Sequence, residues 1–393
     1  MTRPPLLGRL ARAVEDRARD ALLRRLRTIT EVDGPHVVVD GKRLIHFASN
    51  DYLGLAQHPA VVEALVAAAG QWGVGASAAH LLGGHRQEHD LLEAELAAWC
   101  GRDRALLFST GYMANLGIMQ ALLDPRAVCI QDKLNHVCLI DGARLSGARL
   151  RRYVHADVDS ARRQLDSDPA AAALLATDGV FSMDGDIAPL QALARLCREQ
   201  QATLVVDDAH GLGVLGADGS GSVADAGLGQ ADVPVYMATL GKALGVAGAF
   251  VAGSEVLIDG LIQFARTHVY TTAMPPALAA ATRVALRLVR DEAWRREKLA
   301  RLVTQFRDGA ARRGIALAES RTPIQPVLVG QSDEATRLSA QLEAAGFFVP
   351  AIRPPTVAEN GARLRVTLSA AHEEAHVDAL LAALAAAWTP PRQ

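Results

Sequence analysis

The feature that most constrains the fold is a repeated alternation of short apolar runs and helical stretches through the middle of the chain. The runs are 105–108, 127–130, 173–176, 203–206, 233–237 and 248–251. None has the period-2 pattern of a half-solvated strand, so each is expected to be buried on both faces. Strands of that kind, spaced by helices, predict an α/β fold with a mostly parallel central sheet. In such sheets the functional side chains belong at strand carboxyl ends and helix amino ends.

On either side of this region the pattern changes. Residues 36–39 and 44–47 flank Asp40-Gly41 and predict a β-hairpin. Helices are expected at about 59–69 and 88–99, with a Gly/Ala/Ser loop at 73–84 between them. Helical periodicity from 276 to 313 predicts one long helix, followed by strands at 326–329, 347–349 and 363–368 and a closing helix at 373–388. The expected organisation is an N-terminal helix and hairpin segment (1–51), a large domain (52–290) and a smaller C-terminal α/β domain (291–393).

The arginine-rich start of the chain raises the question of a targeting peptide. It has no apolar h-region, and Glu15, Asp16 and Asp20 argue against a transit peptide. An amphipathic helix with Leu10, Val14, Ala18, Ala21 and Leu22 on one face is the expectation. No run approaches the roughly 18 apolar residues of a membrane span. A formal net charge of -2 offers no electrostatic case for nucleic acid or a membrane surface. The four cysteines (Cys100, Cys129, Cys138, Cys197) lack CxxC spacing and read as reduced thiols in the cytoplasm.

Lysine is scarce, so chemistry that needs an amine has few candidates: Lys42, Lys133, Lys242 and Lys298. Lys42 falls in the hairpin turn, Lys133 beside Asp132, and Lys298 in an Arg/Glu-rich helix, all readings of solvated charge. Lys242 instead follows an apolar strand, flanked by Gly241 and Ala243 with no charge nearby. Desolvation disfavours its ammonium and leaves a nucleophilic amine, which is what a Schiff base requires. Upstream, a buried run ends in Asp207-Asp208-Ala209-His210. An acid there can pair with a protonated pyridine nitrogen, and His210 with a phenolic oxygen; a helix cap or a metal pair would use the same residues. Ser109-Thr110-Gly111-Tyr112 opens a helix whose free N–H groups suit a phosphate, or simple N-capping.

Two other motifs weigh less. Gly211-x-Gly213-x-x-Gly216 matches a dinucleotide fingerprint, but Asp207 to His210 intervene and a turn stands where a helix should begin. His85-x-x-Glu88-His89 matches a zinc pattern, although a polar helix start beside a glycine loop accounts for it as well.

Taken together, these residues resemble the fold-type I enzymes that use pyridoxal phosphate (PLP), and among them the α-oxoamine synthase family. The likeness covers about 22–388. It is carried by 49–55, 108–112, Asn135-His136, 177–186, 206–211 and Thr239-Leu-Gly-Lys242. Residues 352–357 (Ile-Arg-Pro-Pro-Thr-Val) and 363–369 (Arg-Leu-Arg-Val-Thr-Leu-Ser) are similar to the branch that serves biotin biosynthesis. The resemblance implies Lys242 as the Schiff-base lysine and as the base at the amino acid's Cα. It implies Asp207 against the pyridinium, Ser182 and His210 at the phenolic oxygen, and His136 stacked on the ring. Gly111, Tyr112 and Thr239 would hold the cofactor and its phosphate, with Thr272 reaching a neighbour's phosphate. Arg353 would bind the amino-acid carboxylate through its guanidinium fork. Asn50, Thr356 and an N-terminal arginine (Arg24, or the adjacent Arg25) would touch substrate.

The implied activity is decarboxylative condensation of L-alanine with pimeloyl-CoA or pimeloyl-acyl carrier protein. A cytoplasmic homodimer with shared active sites is implied with it, with no metal, nucleic acid or membrane. Sister enzymes such as glycine C-acetyltransferase or 5-aminolevulinate synthase remain open, as does a PLP-binding protein without turnover. Three departures stand out: Asp178 where the family often has Glu, Ala243 for a frequent Gly, and Ala78-Ala79 in a loop usually richer in Gly or Ser.

Overall fold

The computed structural model describes residues 5–19 and 22–388. The predicted hairpin forms and gains a partner: β1 (Ile29–Asp33), β2 (His36–Val39) and β3 (Lys42–His46) run antiparallel. The apolar runs become strands of a seven-stranded sheet. In chain order these are β4 (Arg104–Phe108), β5 (Val128–Asp132), β6 (Arg149–Tyr153), β7 (Ala173–Asp178), β8 (Thr203–Asp207), β9 (Val235–Thr239) and β10 (Ala249–Gly253). The spatial order is β4-β10-β9-β8-β7-β5-β6. Strands β5 to β9 pair in parallel, and β10 alone runs against its neighbours β4 and β9.

The absence of alternation is explained by packing on both faces. Leu107, Ile130, Leu175, Val206 and Phe250 enter one buried cluster, while Leu106, Cys129, Leu174, Val205 and Val251 enter another on the opposite side. β6 escaped the sequence reading because it is Arg-Leu-Arg-Arg-Tyr, with only Tyr153 buried. It is one of the two edge strands, where charge guards against further pairing.

The C-terminal part adds a three-stranded sheet of β11 (Ile324–Gly330), β13 (Ala351–Ile352) and β14 (Ala362–Thr367). The expected strand at 347–349 forms as β12 (Phe347–Phe348), but it pairs with β3 and joins the N-terminal sheet. The helix Ser332–Ala344 was not foreseen. The single long helix expected over 276–313 divides into Pro276–Asp291 and Trp294–Arg312. The break brings Arg295 inward: it donates to Glu292 at 2.6 Å and to the Leu53 carbonyl at 2.9 Å, a tertiary anchor that overrides local propensity.

The N-terminal helix (Leu6–Arg19) forms but buries none of its residues. Leu10, Val14 and Ala18 are exposed on it, Leu22 lies beyond its end, and Ala21 is outside the described residues. Among the described residues, no helix is long and apolar enough to cross a membrane.

One ion-pair network ties the strand ends together. His155, after β6, meets Asp132 of β5 at 3.0 Å and Asp186 at 2.8 Å. Burial alone would lower the imidazole's pKa, but the bonds and charges of the two acids outweigh it and raise the value to about 10. A histidine raised in this way contributes stability that is fully present below its unfolded value of about 6.5 and is lost as pH rises through about 10. His155→Gln is therefore expected to destabilise the protein by about 2 kcal/mol at pH 6. In thermal melts across pH, the gap to the parent protein should close above about 10.

Candidate active site

Five strands deliver their following residues to one place. The carboxyl ends of β4, β5, β7, β8 and β9 lead to Gly111, His136, Asp178, Asp207 and Lys242. All five line a cavity of about 210 Å³, together with Tyr112, Cys138, Val180, Ser182, Ala209, His210, Met237 and Thr239. The parallel topology produces this convergence, since every crossover returns the chain so that the next strand points the same way.

Lys242 and His210 form the centre. Lys242 Nζ lies 2.7 Å from His210 Nε2, and His210 Nδ1 lies 2.6 Å from the Tyr52 hydroxyl. Burial lowers the Lys242 pKa to about 8, against the opposing pull of Asp207 and Asp178. Burial also holds His210 well below its usual value, with Lys242 and Arg365 pushing in the same direction. Tyr52 is pushed up to about 12 by burial, so its hydroxyl keeps its proton. When Lys242 is the free amine, the Tyr52 hydroxyl donates to Nδ1 and the His210 proton sits on Nε2, facing the amine; when it is the ammonium, Lys242 donates to Nε2 and the ring proton moves to Nδ1.

The acids are placed with equal care. Asp207 Oδ2 accepts from the buried Asn115 amide at 2.7 Å, and Oδ1 accepts from the Ala209 N–H at 3.0 Å. The His136 N–H lies 3.2 Å from both oxygens of Asp178, whose pKa is raised well above normal by burial and by Asp207. Asn135 holds this corner by donating to the Ala176 carbonyl and accepting from the Asp178 N–H. Asp208 turns away from the cavity. It accepts from Ser222 N, Ser222 Oγ and Tyr236 Oη at 2.7, 2.6 and 2.9 Å, and burial raises it to about 7.

These bonds also dispose of the dinucleotide motif. A Cβ on Gly211 or Gly221 would come within 2.1 or 2.0 Å of the Asp208 carboxylate. The glycines there let the loop wrap a buried acid. The histidines of the zinc pattern gather with His80 into one cluster outside the cavity lining. His89 accepts from the Arg86 N–H and meets the Met274 carbonyl, both at 2.9 Å, and His85 meets His80 at 2.8 Å and Asp90 at 2.9 Å.

The lining fits PLP in its donor chemistry. A neutral amine suits the aldehyde and an anchored carboxylate suits a pyridine nitrogen. The helix Gly111–Leu122 begins with Gly111 and Tyr112, whose N–H groups have no partner within the helix and suit a phosphate. Thr110 caps the Met113 N–H, and Ser109 Oγ lies 3.4 Å from the Thr272 carbonyl, which sets Thr272 beside that helix start.

Not every expected residue reaches the cavity wall. Asn50 stands behind it, accepting from Arg365 at 3.3 Å and lying at the same distance from the Tyr52 hydroxyl. Arg353 and Thr356 belong to the loop between β13 and β14, outside the lining, and Arg24 and Arg25 are exposed in the segment before β1. Of the other lysines, Lys42 and Lys133 are exposed, while Lys298 is half-buried and pairs with Glu373 at 2.7 Å.

The site also contains residues the sequence reading did not single out. Arg365 is 6 % exposed and donates to the Ser182 carbonyl at 2.7 Å and to Thr367 at 2.9 Å. Cys138 lines the cavity, and Tyr52 and Asn115 stand behind the lining. Arg365 carried a signal, because it shares one face of β14 with Arg363 and both reach the 182–184 segment; Asn115 carried none.

The profile of the Aminotransferase class I and II family matches residues 42–384. The chain is 58% identical over 372 residues to an 8-amino-7-oxononanoate synthase of Thioalkalivibrio sulfidiphilus (strain HL-EbGR7), covering 94% of this chain and 95% of the relative. It is 57% identical over 375 residues to an 8-amino-7-oxononanoate synthase of Pseudomonas putida (strain GB-1), covering 95% and 96%. A serine palmitoyltransferase from S. paucimobilis, solved with a PLP–myriocin aldimine, superposes with a TM-score of 0.92 at 26% identity over 98% of both chains.

The lowered Lys242 value makes a prediction. The free amine dominates above about pH 8. The rate at which cofactor-free protein captures added PLP, followed by visible absorbance, should rise up to about pH 8 and then level off. A rate still climbing toward 10.5 would mark an ordinary solvated lysine.

Proposed function

Because the chain belongs to the Aminotransferase class I and II family, and within it to the PLP-dependent α-oxoamine synthases, we propose that it makes 8-amino-7-oxononanoate in biotin biosynthesis. The reaction is condensation of L-alanine with a pimeloyl thioester, carried on CoA or acyl carrier protein, releasing CO2 and the free thiol. The observation that carries this reading is the desolvated Lys242 amine held 2.7 Å from His210 in a cavity that also contains Asp207 and His136.

Bound PLP supplies an electron sink for the carbanion at the amino acid's Cα. Lys242 takes the Cα proton and later returns one. Its lowered pKa suits both transfers near neutral pH. Asp207 holds a proton at the pyridine nitrogen, kept in place by Asn115 and the Ala209 N–H. His136 would cover the ring face and position the substrate, while Ser182 and His210 would meet the phenolic oxygen. Gly111, Tyr112 and Thr239 attend the phosphate side, with Thr272 offered to a second subunit in a homodimer.

The substrate contacts are proposed from the same reading. On this reading Asn50, Thr356 and Arg24 (or Arg25) would touch substrate, and Arg353 would bind its carboxylate. For the carboxylate, the position of Arg365 favours it over Arg353: its guanidinium is buried, bonded to Asn50 and Ser182, and close enough to lower the pKa of Lys242 and His210. The division of labour between 52–290 and 291–393 belongs to this reading too. It is supported by the seven-stranded sheet lying wholly in the first segment and the three-stranded sheet wholly in the second.

The test is CO2 release and thiol release from purified protein with L-alanine or glycine against pimeloyl, acetyl and succinyl thioesters. Alanine with the pimeloyl donor should exceed every other pairing; preference for glycine would assign a sister activity. CO2 release with none of them would leave a PLP-binding protein without turnover. Lys242→Ala should lower turnover by about 10³-fold or more. Arg365→Lys should raise the alanine KM by about tenfold or more, because a lysine cannot reproduce the fork. A larger rise in Arg353→Lys would return the carboxylate to Arg353.

A further inference from the structure

Cys138 sits in the cavity wall, yet nothing in the proposed reaction uses it. Its Sγ lies 2.8 Å from His136 Nδ1 and 3.0 Å from the Asn115 amide nitrogen. The same Asn115 nitrogen reaches Asp207 Oδ2 at 2.7 Å. A side-chain amide has two hydrogens on that nitrogen, one for the sulfur and one for the carboxylate. The amide's orientation is decided by Asp207, since a flipped Asn115 would turn its oxygen toward the acid.

The thiol therefore receives a hydrogen bond from Asn115 and has its own S–H left to give. Burial, reinforced by the charge of Asp207, pushes its pKa up, so the hydrogen stays on sulfur. The acceptor within reach is His136 Nδ1. A second donor addresses the same lone pair: His136 is the N-cap of the helix Val137–Ser146, and the Cys138 backbone N–H lies 3.4 Å from Nδ1. Two donors converging on one nitrogen exclude a proton from it. His136 itself is lowered by burial and by Lys242, against the pull of Asp207, which favours the neutral ring.

We infer that Cys138 is a positioning residue for His136: its thiol, bonded to Asn115, fixes Nδ1 as an acceptor and places the imidazole's proton on Nε2. The ring then offers an N–H, not a lone pair, at its free nitrogen, and acts in the cavity as a donor instead of a base. The chain Asp207–Asn115–Cys138–His136 makes the acid that serves the pyridine nitrogen and the ring that covers the cavity one hydrogen-bonded unit. The catalytic meaning of this tautomer rests on the reading of the cavity as a PLP and amino-acid site; the tautomer itself does not.

The experiment is long-range 1H–15N spectroscopy of the histidine rings in the full-length chain, before and after saturation with PLP. His136→Gln identifies the signal. The expected spectrum at pH 7 shows an unprotonated Nδ1 and a protonated Nε2. Cys138→Ser, which keeps a donor, should retain that pattern, and Cys138→Ala should shift the ring toward the Nδ1–H form. The alanine variant should also raise the KM for amino acid about fivefold with kcat little changed, and the serine variant should restore it. An unchanged ring in Cys138→Ala, or a serine variant that folds normally and behaves like alanine, would overturn the proposal. If the parent protein neither takes up PLP nor releases CO2, the proposed function fails, and the spectrum of the unloaded protein still decides the role of Cys138.

Discussion

A lysine amine can serve as nucleophile and base near neutral pH only if it is held out of water without a tight carboxylate partner. Much of what surrounds Lys242 meets that constraint. A direct salt bridge would have held the ammonium to higher pH, whereas the neutral His210 at 2.7 Å does not. His210 must then be kept neutral in turn, and the buried Tyr52 hydroxyl does so by occupying Nδ1 at 2.6 Å. Tyr52 comes from the segment before the sheet and Arg365 from β14. The reactive centre thus ties three parts of the chain together, and its electrostatics depend on the whole tertiary structure.

Three aspartates, Asp178, Asp207 and Asp208, stand at neighbouring strand ends, and their mutual repulsion must be contained. The structure separates them by function. Asp208 is turned behind the loop and held by Ser222 and Tyr236, with glycines clearing space for it. Asp178 is tied to the His136 backbone and its pKa is raised by burial, which lets it carry a proton. That leaves Asp207 as the acid with a fixed amide donor and a side facing the cavity. The substitution of Asp for the family's frequent Glu at 178 fits this arrangement, because the shorter side chain is engaged by the backbone N–H of His136 at both oxygens.

What could be read in the order of residues was whatever depends on local patterning. The buried runs marked the parallel strands, and their carboxyl ends marked Gly111, His136, Asp207 and Lys242, because topology makes strand ends converge whatever the details of packing. The second layer was not legible. Asn115 lies in the interior of a largely apolar helix, and only the approach of β8 gives it meaning. β6 carries too many arginines to resemble a strand, because its edge position is a fact about its neighbours. The break between Pro276–Asp291 and Trp294–Arg312 was hidden for the same reason: helical propensity runs through it, and the bond from Arg295 to Leu53 ends it.

The two halves of the site differ in how they are held. Lys242, His210, Asp207 and His136 are on the strand ends of one sheet, where backbone ladders and buried clusters on both faces fix their positions. Arg353 and Thr356 stand on a loop between two short strands, and the N-terminal arginines precede β1 on an exposed segment. Chemistry that depends on sub-ångström placement belongs on the first kind of support. Recognition of a flexible acyl chain tolerates the second, because apolar contacts are non-directional and roughly proportional to area. On the proposed reading, rim residues could change with the acyl group while the bonds around Lys242 stay as they are. Arg365 stands at the junction, on a strand of the smaller sheet yet bonded to Ser182 of the cavity wall. An amino-acid carboxylate bound there would be oriented by both halves at once.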